Sequence, residues 1–170
     1  MNTLNPSDTY GILIDGSDFY IPDPEIKPDQ NPCHLTASLK GIYYSGQDVG
    51  SRWQFDIIVN SGAWTSGSVH LSVGNWYPGK ENIYDETLPG GCNSTHLITI
   101  FIRAREYDFY IFDDVGERLL STAIQCTPSG EERSINVLVP VAEYPYCRIF
   151  RKNRRVAFLH FFFLIKAKCV

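Results

Sequence analysis

The chain lacks most of the features that identify catalytic or membrane-spanning proteins. It has a single methionine among 170 residues, and its apolar run at residues 156–165 is about half the ~20 residues that a membrane-spanning helix needs. The sequence contains no dinucleotide fingerprint, P-loop, nucleophile elbow, H-E-x-x-H or C-x-x-C motif. We therefore expect a non-enzymatic protein with no catalytic residue, no metal site and no cofactor.

Acidic side chains are missing from one end of the chain. Residues 1–147 hold 8 basic and all 19 acidic side chains, a net charge of −11, whereas residues 148–170 hold 7 basic side chains and no acidic one. Binding to nucleic acid needs a basic surface that neutralises phosphates. The acidic body therefore argues against a general nucleic-acid platform. Only the basic segment 148–170 could offer such a surface, and we expect no nucleic-acid partner.

The cysteines and the first residues bear on the cellular compartment. The chain opens without a basic and then apolar stretch, so we expect no secretory signal. Five cysteines, an odd number without tight spacing, favour free thiols in a reducing compartment over a disulfide framework. The expected localisation is cytoplasmic. Asn93-Ser94-Thr95 matches the N-glycosylation acceptor pattern, which has no use in that compartment.

Alternating apolar and polar residues dominate what the sequence does contain. Aromatic residues make up 14% of the chain, with 13 glycines and 10 prolines, a composition that favours strands and turns. Alternation predicts strands at 35–44, 52–59, 68–73, 97–103, 107–112, 117–124 and 134–141, with a hairpin turn at 113–116. An edge strand at 11–14 and an extended proline-rich arm at 18–32 complete the set. Such a series predicts an all-β sandwich or barrel.

The C-terminal residues leave three interpretations open. Basic side chains at 148–155 precede the aromatic-rich apolar run at 156–165. This segment is a last buried strand, a basic and aromatic segment that contacts a membrane surface, or a terminus with little function.

One predicted strand carries a candidate binding site. His70 lies at the middle of segment 68–73 on its polar face, with Ser72 beside it, and Asn75 and Trp76 follow. Short polar groups next to an exposed aromatic ring can hold a sugar, because hydroxyls accept and donate hydrogen bonds while the ring covers the apolar face. A solvated strand with Trp76 and Tyr84 in packing roles is the alternative.

The order of these segments resembles the galectin family. The similar stretches are YIP at 20–22, HLTASLKG at 34–41, RWQFDIIV at 52–59, SVHLSV at 68–73, LITIFI at 97–102, YDFYIFDD at 107–114, ERLL at 117–120 and SINVLV at 134–139. The resemblance implies a two-sheet antiparallel β-sandwich, a galectin-like jelly roll, over residues 20–147. It leaves an N-terminal extension at 1–19 and a basic and aromatic tail at 148–170. It further implies metal-free binding of β-galactosides and export without a signal peptide.

The resemblance also implies the site residues, with departures. The family pattern His-x-Asn-x-Arg reads His70, Ser72 and Gly74 here, so the arginine and its charge-assisted hydrogen bonds, worth about 1.5–3 kcal/mol each, are missing. The predicted sugar-binding residues are His70, Ser72, Asn75, Trp76, Tyr84 and Glu86. The expected function is a lectin for β-galactosides or related glycans, with glycoproteins as partners. The alternative is a galectin-like module that has lost sugar binding and binds proteins.

Overall fold

The computed structural model describes residues 31–107, 113–143 and 155–170. The strand predicted at 11–14, most of the arm at 18–32, most of the strand at 107–112 and the basic residues 148–154 lie outside these ranges.

The described residues form β-strands and no helix. The strands are β1 (Cys33–Gly46), β2 (Arg52–Val59), β3 (Gly62–Thr65), β4 (Val69–His70), β5 (Trp76–Leu88), β6 (Thr95–Glu106), β7 (Asp114–Gln125), β8 (Glu131–Ala142) and β9 (Val156–Cys169). Within the described ranges, no helix is long and apolar enough to cross a membrane.

The strands form two antiparallel sheets, which confirms the predicted all-β sandwich. Sheet 1 has the strand order β5-β1-β9-β8, and sheet 2 has the order β3-β2-β6-β7, with the short β4 also paired to β2. The inner faces of both sheets enclose one core. The alternation in the sequence explains this, because every second side chain of a strand points to the same face.

β6 shows the pattern clearly. Ile98, Ile100, Ile102 and Ala104 are fully buried, while the residues between them are partly exposed. Trp53, Phe55, Ile57 and Val59 on β2 supply the matching inner face next to them.

The C-terminal segment is a strand at the centre of sheet 1. β9 lies between β1 and β8, and six of its residues are buried: Ala157, Leu159, Phe161, Phe163, Ile165 and Ala167. Of the three interpretations, the buried strand is therefore correct for 156–169. The prediction of a separate tail at 148–170 is therefore wrong for residues 156–169, because this strand belongs to the sandwich.

Two predicted strand boundaries need correction. In segment 68–73 only Val69–His70 pairs with β2, since Leu71 turns into the core and Gly74, with φ of 82°, reverses the chain. The hairpin turn predicted at 113–116 is also wrong. Asp114 is a buried residue of β7, opposite Glu106 of β6.

Four of the five cysteines form two disulfides, so the prediction of free thiols is wrong for them. Cys33, at the start of β1 in sheet 1, is bonded to Cys126, which follows β7 of sheet 2. This disulfide therefore links the two sheets. Cys92, in the β5–β6 connection, is bonded to Cys169 at the end of β9. These bonds remove the argument that placed the chain in a reducing compartment. The fifth cysteine, Cys147, lies outside the described residues.

Candidate functional site

A group of aromatic side chains covers the outer surface of sheet 1. It consists of Tyr43 on β1, Trp76 on β5, and Phe158, His160 and Phe162 on β9, and we call it the aromatic face. Trp76 is 60% exposed and Phe158 is 37% exposed, while the other three side chains are half-buried. Large rings at this exposure are unusual on a sheet surface that has no partner.

Strand register brings these residues together. Tyr43 is paired with Trp76 on one side and with His160 on the other, and His160 is paired in turn with Leu138 of β8. Phe162 and Phe158 lie two residues to either side of His160 along β9, so all three point outward. The aromatic face therefore spans all four strands of sheet 1 if the exposed Leu138 is included.

The rings lie side by side at moderate tilt. The Trp76 centroid is 5.2 Å from that of Tyr43 and 5.0 Å from that of Phe162, and the interplanar angle is 35° in both pairs. His160 is nearly parallel to Phe162, at 17° and 6.4 Å. Contacts at these distances fall in the stabilising range for aromatic pairs. The result is a contiguous aromatic surface in which Trp76 and Phe158 are exposed and the other rings are half-buried.

A glycine in the neighbouring strand makes room for Trp76. A Cβ atom on Gly41 would lie 3.2 Å from Cε3 of Trp76 and 3.3 Å from the carbonyl oxygen of Tyr77. The indole therefore packs down over the backbone of β1. A larger residue at this position would lift the ring away from the sheet.

Polar groups border the rings. The Ser45 hydroxyl lies 2.9 Å from Nε2 of His160 and donates a hydrogen bond to the Phe158 carbonyl at 3.3 Å. Asn136 of β8 is exposed opposite Phe162. An apolar surface with hydroxyl, imidazole and amide groups at its border combines the two kinds of contact that a sugar ring makes.

The structure separates the predicted site residues into three places. His70 is exposed on β4 and is paired with Arg52, so it belongs to sheet 2 rather than to the aromatic face. Ser72 and Asn75 are exposed residues of the turn that leads into β5, where the Asn75 amide donates to the Ser72 carbonyl at 3.1 Å. Trp76 follows directly, as the first residue of β5.

Tyr84 and Glu86 lie at the other end of β5. Trp76 is opposite Tyr43 and Glu86 is opposite Leu35, eight residues away on β1, a separation of about 25 Å. Tyr84 is only 5% exposed, so its ring cannot serve as a stacking platform, and its hydroxyl donates to Glu86 Oε2 at 2.8 Å. Burial raises the pKa of Tyr84 above its usual value, and the Glu86 carboxylate acts in the same direction.

Among the described residues, one group has the composition of a metal site. Cys33, His96 and Cys126 have their ligand atoms within 4.8 Å of one another. The two sulfur atoms are bonded to each other, so they are not available as thiolate ligands. His96 lies 2.8 Å from the Gly91 carbonyl through Nε2, which indicates a role in packing the turn.

The outer surface of sheet 2 provides a contrast. It exposes aliphatic side chains, with Leu97 and Leu119 each 65% exposed. Its ring at Phe101 lies beneath the Arg103 guanidinium, whose Cζ is 5.8 Å from the ring centroid, and Arg103 also pairs with Glu117 at 2.6 Å. This surface has no group of neighbouring open rings among the described residues.

Sequence reasoning identified Trp76 but not the other members of the aromatic face. Tyr43 lies on an outward position of the predicted strand 35–44, which is a signal that was available. Phe158, His160 and Phe162 belong to the segment that left three interpretations open. Their outward direction depends on β9 pairing with β1, a contact between distant parts of the chain.

Comparison with known proteins gives little information on function. No model of a known protein family matches the chain, and no curated protein matches it. Among solved structures, the chain is similar to a C2 domain of plant Extended Synaptotagmin 1, at 9% identity and a TM-score of 0.29. That similarity covers 78% of this chain and 93% of the other. The function is therefore inferred from the site.

Proposed function

We propose that the chain is a non-enzymatic carbohydrate-binding protein that holds glycans on its aromatic face. The observation that carries this proposal is the 60% exposed indole of Trp76, held between Tyr43 and Phe162 on the outer surface of sheet 1. Trp76 is also one of the residues that the sequence predicted for sugar stacking.

The surface chemistry suits a sugar. Pyranose rings present an apolar C–H face together with hydroxyl groups around the edge. The rings of the aromatic face offer the complementary apolar contact, and Ser45, His160 and Asn136 offer hydrogen bonds at its border. Asn75, next to Trp76, supplies a further amide. An open sheet surface of this kind favours an extended glycan chain over a single enclosed monosaccharide.

The energetic contribution of Trp76 can be estimated. Covering about 100 Å² of apolar ring surface contributes about 2.5 kcal/mol at 25 cal/mol per Å². A loss of that size weakens affinity by about tenfold to hundredfold. This is a large fraction of the binding energy of a weak lectin, so the tryptophan should dominate the measured affinity.

A glycan array followed by titration of the best ligand tests the proposal. Trp76→Ala should weaken binding at least tenfold. Leu119→Ala, which removes an equally exposed apolar side chain from sheet 2, should leave the affinity unchanged. Absence of any glycan signal above background would reject the proposal. The alternative function, binding of a protein through the same surface, predicts a partner that resists competition by sugars and is lost in Trp76→Ala.

A further inference from the structure

The two disulfides change the meaning of the acceptor pattern at residues 93–95. Disulfides form and persist in oxidising compartments, and the chain has two of them close together at one end of the sandwich. In eukaryotic cells the compartment that forms disulfides is also the one in which asparagine glycosylation takes place. The acceptor pattern at 93–95, which would not be modified in a reducing compartment, is therefore a candidate glycosylation site in an oxidising one.

The position of the pattern fits a modification. Asn93, Ser94 and Thr95 are all exposed, and they follow the disulfide-bonded Cys92. The turn is held by its backbone, since the Asn93 amide donates to the Cys126 carbonyl and the Cys126 amide donates to the Ser94 carbonyl, both at 2.9 Å. A surface turn of this kind can carry a bulky, solvated group without disturbing the core.

Backbone conformation can explain the asparagine at position 93, but it does not explain the threonine at position 95. Asn93 has φ of 58°, in the left-handed region where asparagine is favoured over most other residues. That conformation places no requirement on residue 95. The hydroxyl of Thr95, an exposed residue at the start of β6, is the second element that glycosylation requires.

We propose that Asn93 is an N-glycosylation site and that the protein matures in the secretory pathway. This proposal replaces the cytoplasmic localisation that the sequence led us to expect. The donor is an oligosaccharide linked to a polyprenyl diphosphate. A bond forms between Nδ2 of Asn93 and C1 of the first sugar, the bond between C1 and the diphosphate oxygen breaks, the amide nitrogen releases a proton, and polyprenyl diphosphate leaves. No oxidant or reductant is involved.

A glycan at this position leaves the aromatic face open. Cys33, at the disulfide end of β1, is ten residues from Tyr43 along the same strand, a separation of about 30 Å. Attachment at Asn93 is thus compatible with ligand binding at Trp76, and the two proposals can fail independently.

The test uses the full chain secreted from eukaryotic cells, treated or not with peptide N-glycosidase. The wild-type protein should lose mass on treatment, and peptide mass spectrometry in heavy-oxygen water should show Asn93 converted to labelled aspartate. Thr95→Ala keeps the asparagine and removes the pattern, so it should run at the deglycosylated mass. Thr95→Ser preserves the pattern and should remain glycosylated.

Identical masses with and without the enzyme, and an unlabelled Asn93 peptide, would overturn the proposal. The wild-type peptide gives this answer even if a variant fails to be secreted. The same peptide measurement on protein isolated from the cells that naturally make it decides whether the site is used there. An unmodified Asn93 in that material also overturns the proposal.

Discussion

Trp76 and Tyr43 lie opposite each other on neighbouring antiparallel strands, with their ring centroids 5.2 Å apart. Both side chains point away from the core, while the adjacent Ile42 and Tyr44 on β1 are fully buried. This pair connects the turn that follows β4 to the aromatic residues of β9. It is the structural reason why the proposed glycan site lies on sheet 1.

The extent of the binding surface is the first prediction. Tyr43→Ala and Phe162→Ala should each weaken glycan binding by about tenfold, because each removes a ring in contact with Trp76. His70→Ala should leave binding unchanged, since His70 lies on sheet 2. Isothermal titration with one glycan measures all three. A loss of glycan binding in His70→Ala alone would contradict this prediction and would support the site that the galectin resemblance implies.

The second prediction concerns the disulfides. Cys33–Cys126 and Cys92–Cys169 close loops with sequence separations of 93 and 77 residues. Removing a disulfide from a small domain costs about 2–5 kcal/mol of stability. In the chain-entropy model the cost increases with loop length, so these long loops should lie toward the upper end of that range. A reductant should therefore lower the melting temperature strongly, as should the double variant Cys33→Ser with Cys126→Ser.

Cys147→Ser is the matched control for the second prediction, because Cys147 belongs to neither of these disulfides. Both disulfides are intact in this variant, so its melting temperature should still fall when a reductant is added. A melting temperature that does not respond to reductant would contradict the assignment of the disulfides, as would alkylation of Cys33 or Cys92 in unfolded, non-reduced protein.

The third prediction is a loss of stability at alkaline pH that depends on Tyr44. Burial raises the pKa of Tyr44 above that of an unfolded tyrosine, which is about 10. As pH rises, the unfolded chain loses the phenolic proton first, so it binds fewer protons than the folded chain. The free energy of unfolding then falls as pH rises through the pKa of the folded state.

Tyr44→Phe should flatten that fall in urea unfolding measured from neutral pH to about pH 11. At neutral pH the variant should be less stable by about 1–3 kcal/mol, because the buried Val49 amide loses the hydroxyl that accepts its hydrogen bond at 2.9 Å. The buried Tyr84, whose pKa is also raised, leaves a residual slope. Equal alkaline slopes for wild type and variant would contradict this role of Tyr44.

The fold followed from local alternation wherever one strand face is buried. The predicted segment 52–59 coincides with β2, and the segments at 35–44, 97–103, 117–124 and 134–141 lie within longer strands. β5 escaped prediction because it is an edge strand in which only Ile83 and Tyr84 are buried, so it shows little alternation. The four-residue β3 also escaped prediction, because it is too short to show a period. β4 is the opposite case, since alternation predicted 68–73 but only two of those residues pair with β2.

The site was less predictable for a physical reason. Trp76 could be selected as an exposed aromatic residue near polar neighbours, but its partners Tyr43 and Phe162 come from distant parts of the chain. Their proximity depends on the pairing of β1 with both β5 and β9, which local patterns do not encode. Tyr84 is the opposite case. The sequence predicted that its ring stacks on a sugar, but the ring is buried in the sandwich.

The three tryptophans provide the most direct test of ligand binding on the aromatic face. Trp53 is fully buried and donates from Nε1 to the Leu71 carbonyl at 3.1 Å, Trp64 packs against the core, and Trp76 is exposed. Their indole N–H resonances can be followed in a nitrogen-edited NMR spectrum during titration with the glycan selected on the array. We predict that the Trp76 resonance shifts with saturation while that of Trp53 stays in place. Glycan binding that leaves the Trp76 resonance unmoved would contradict the proposed site.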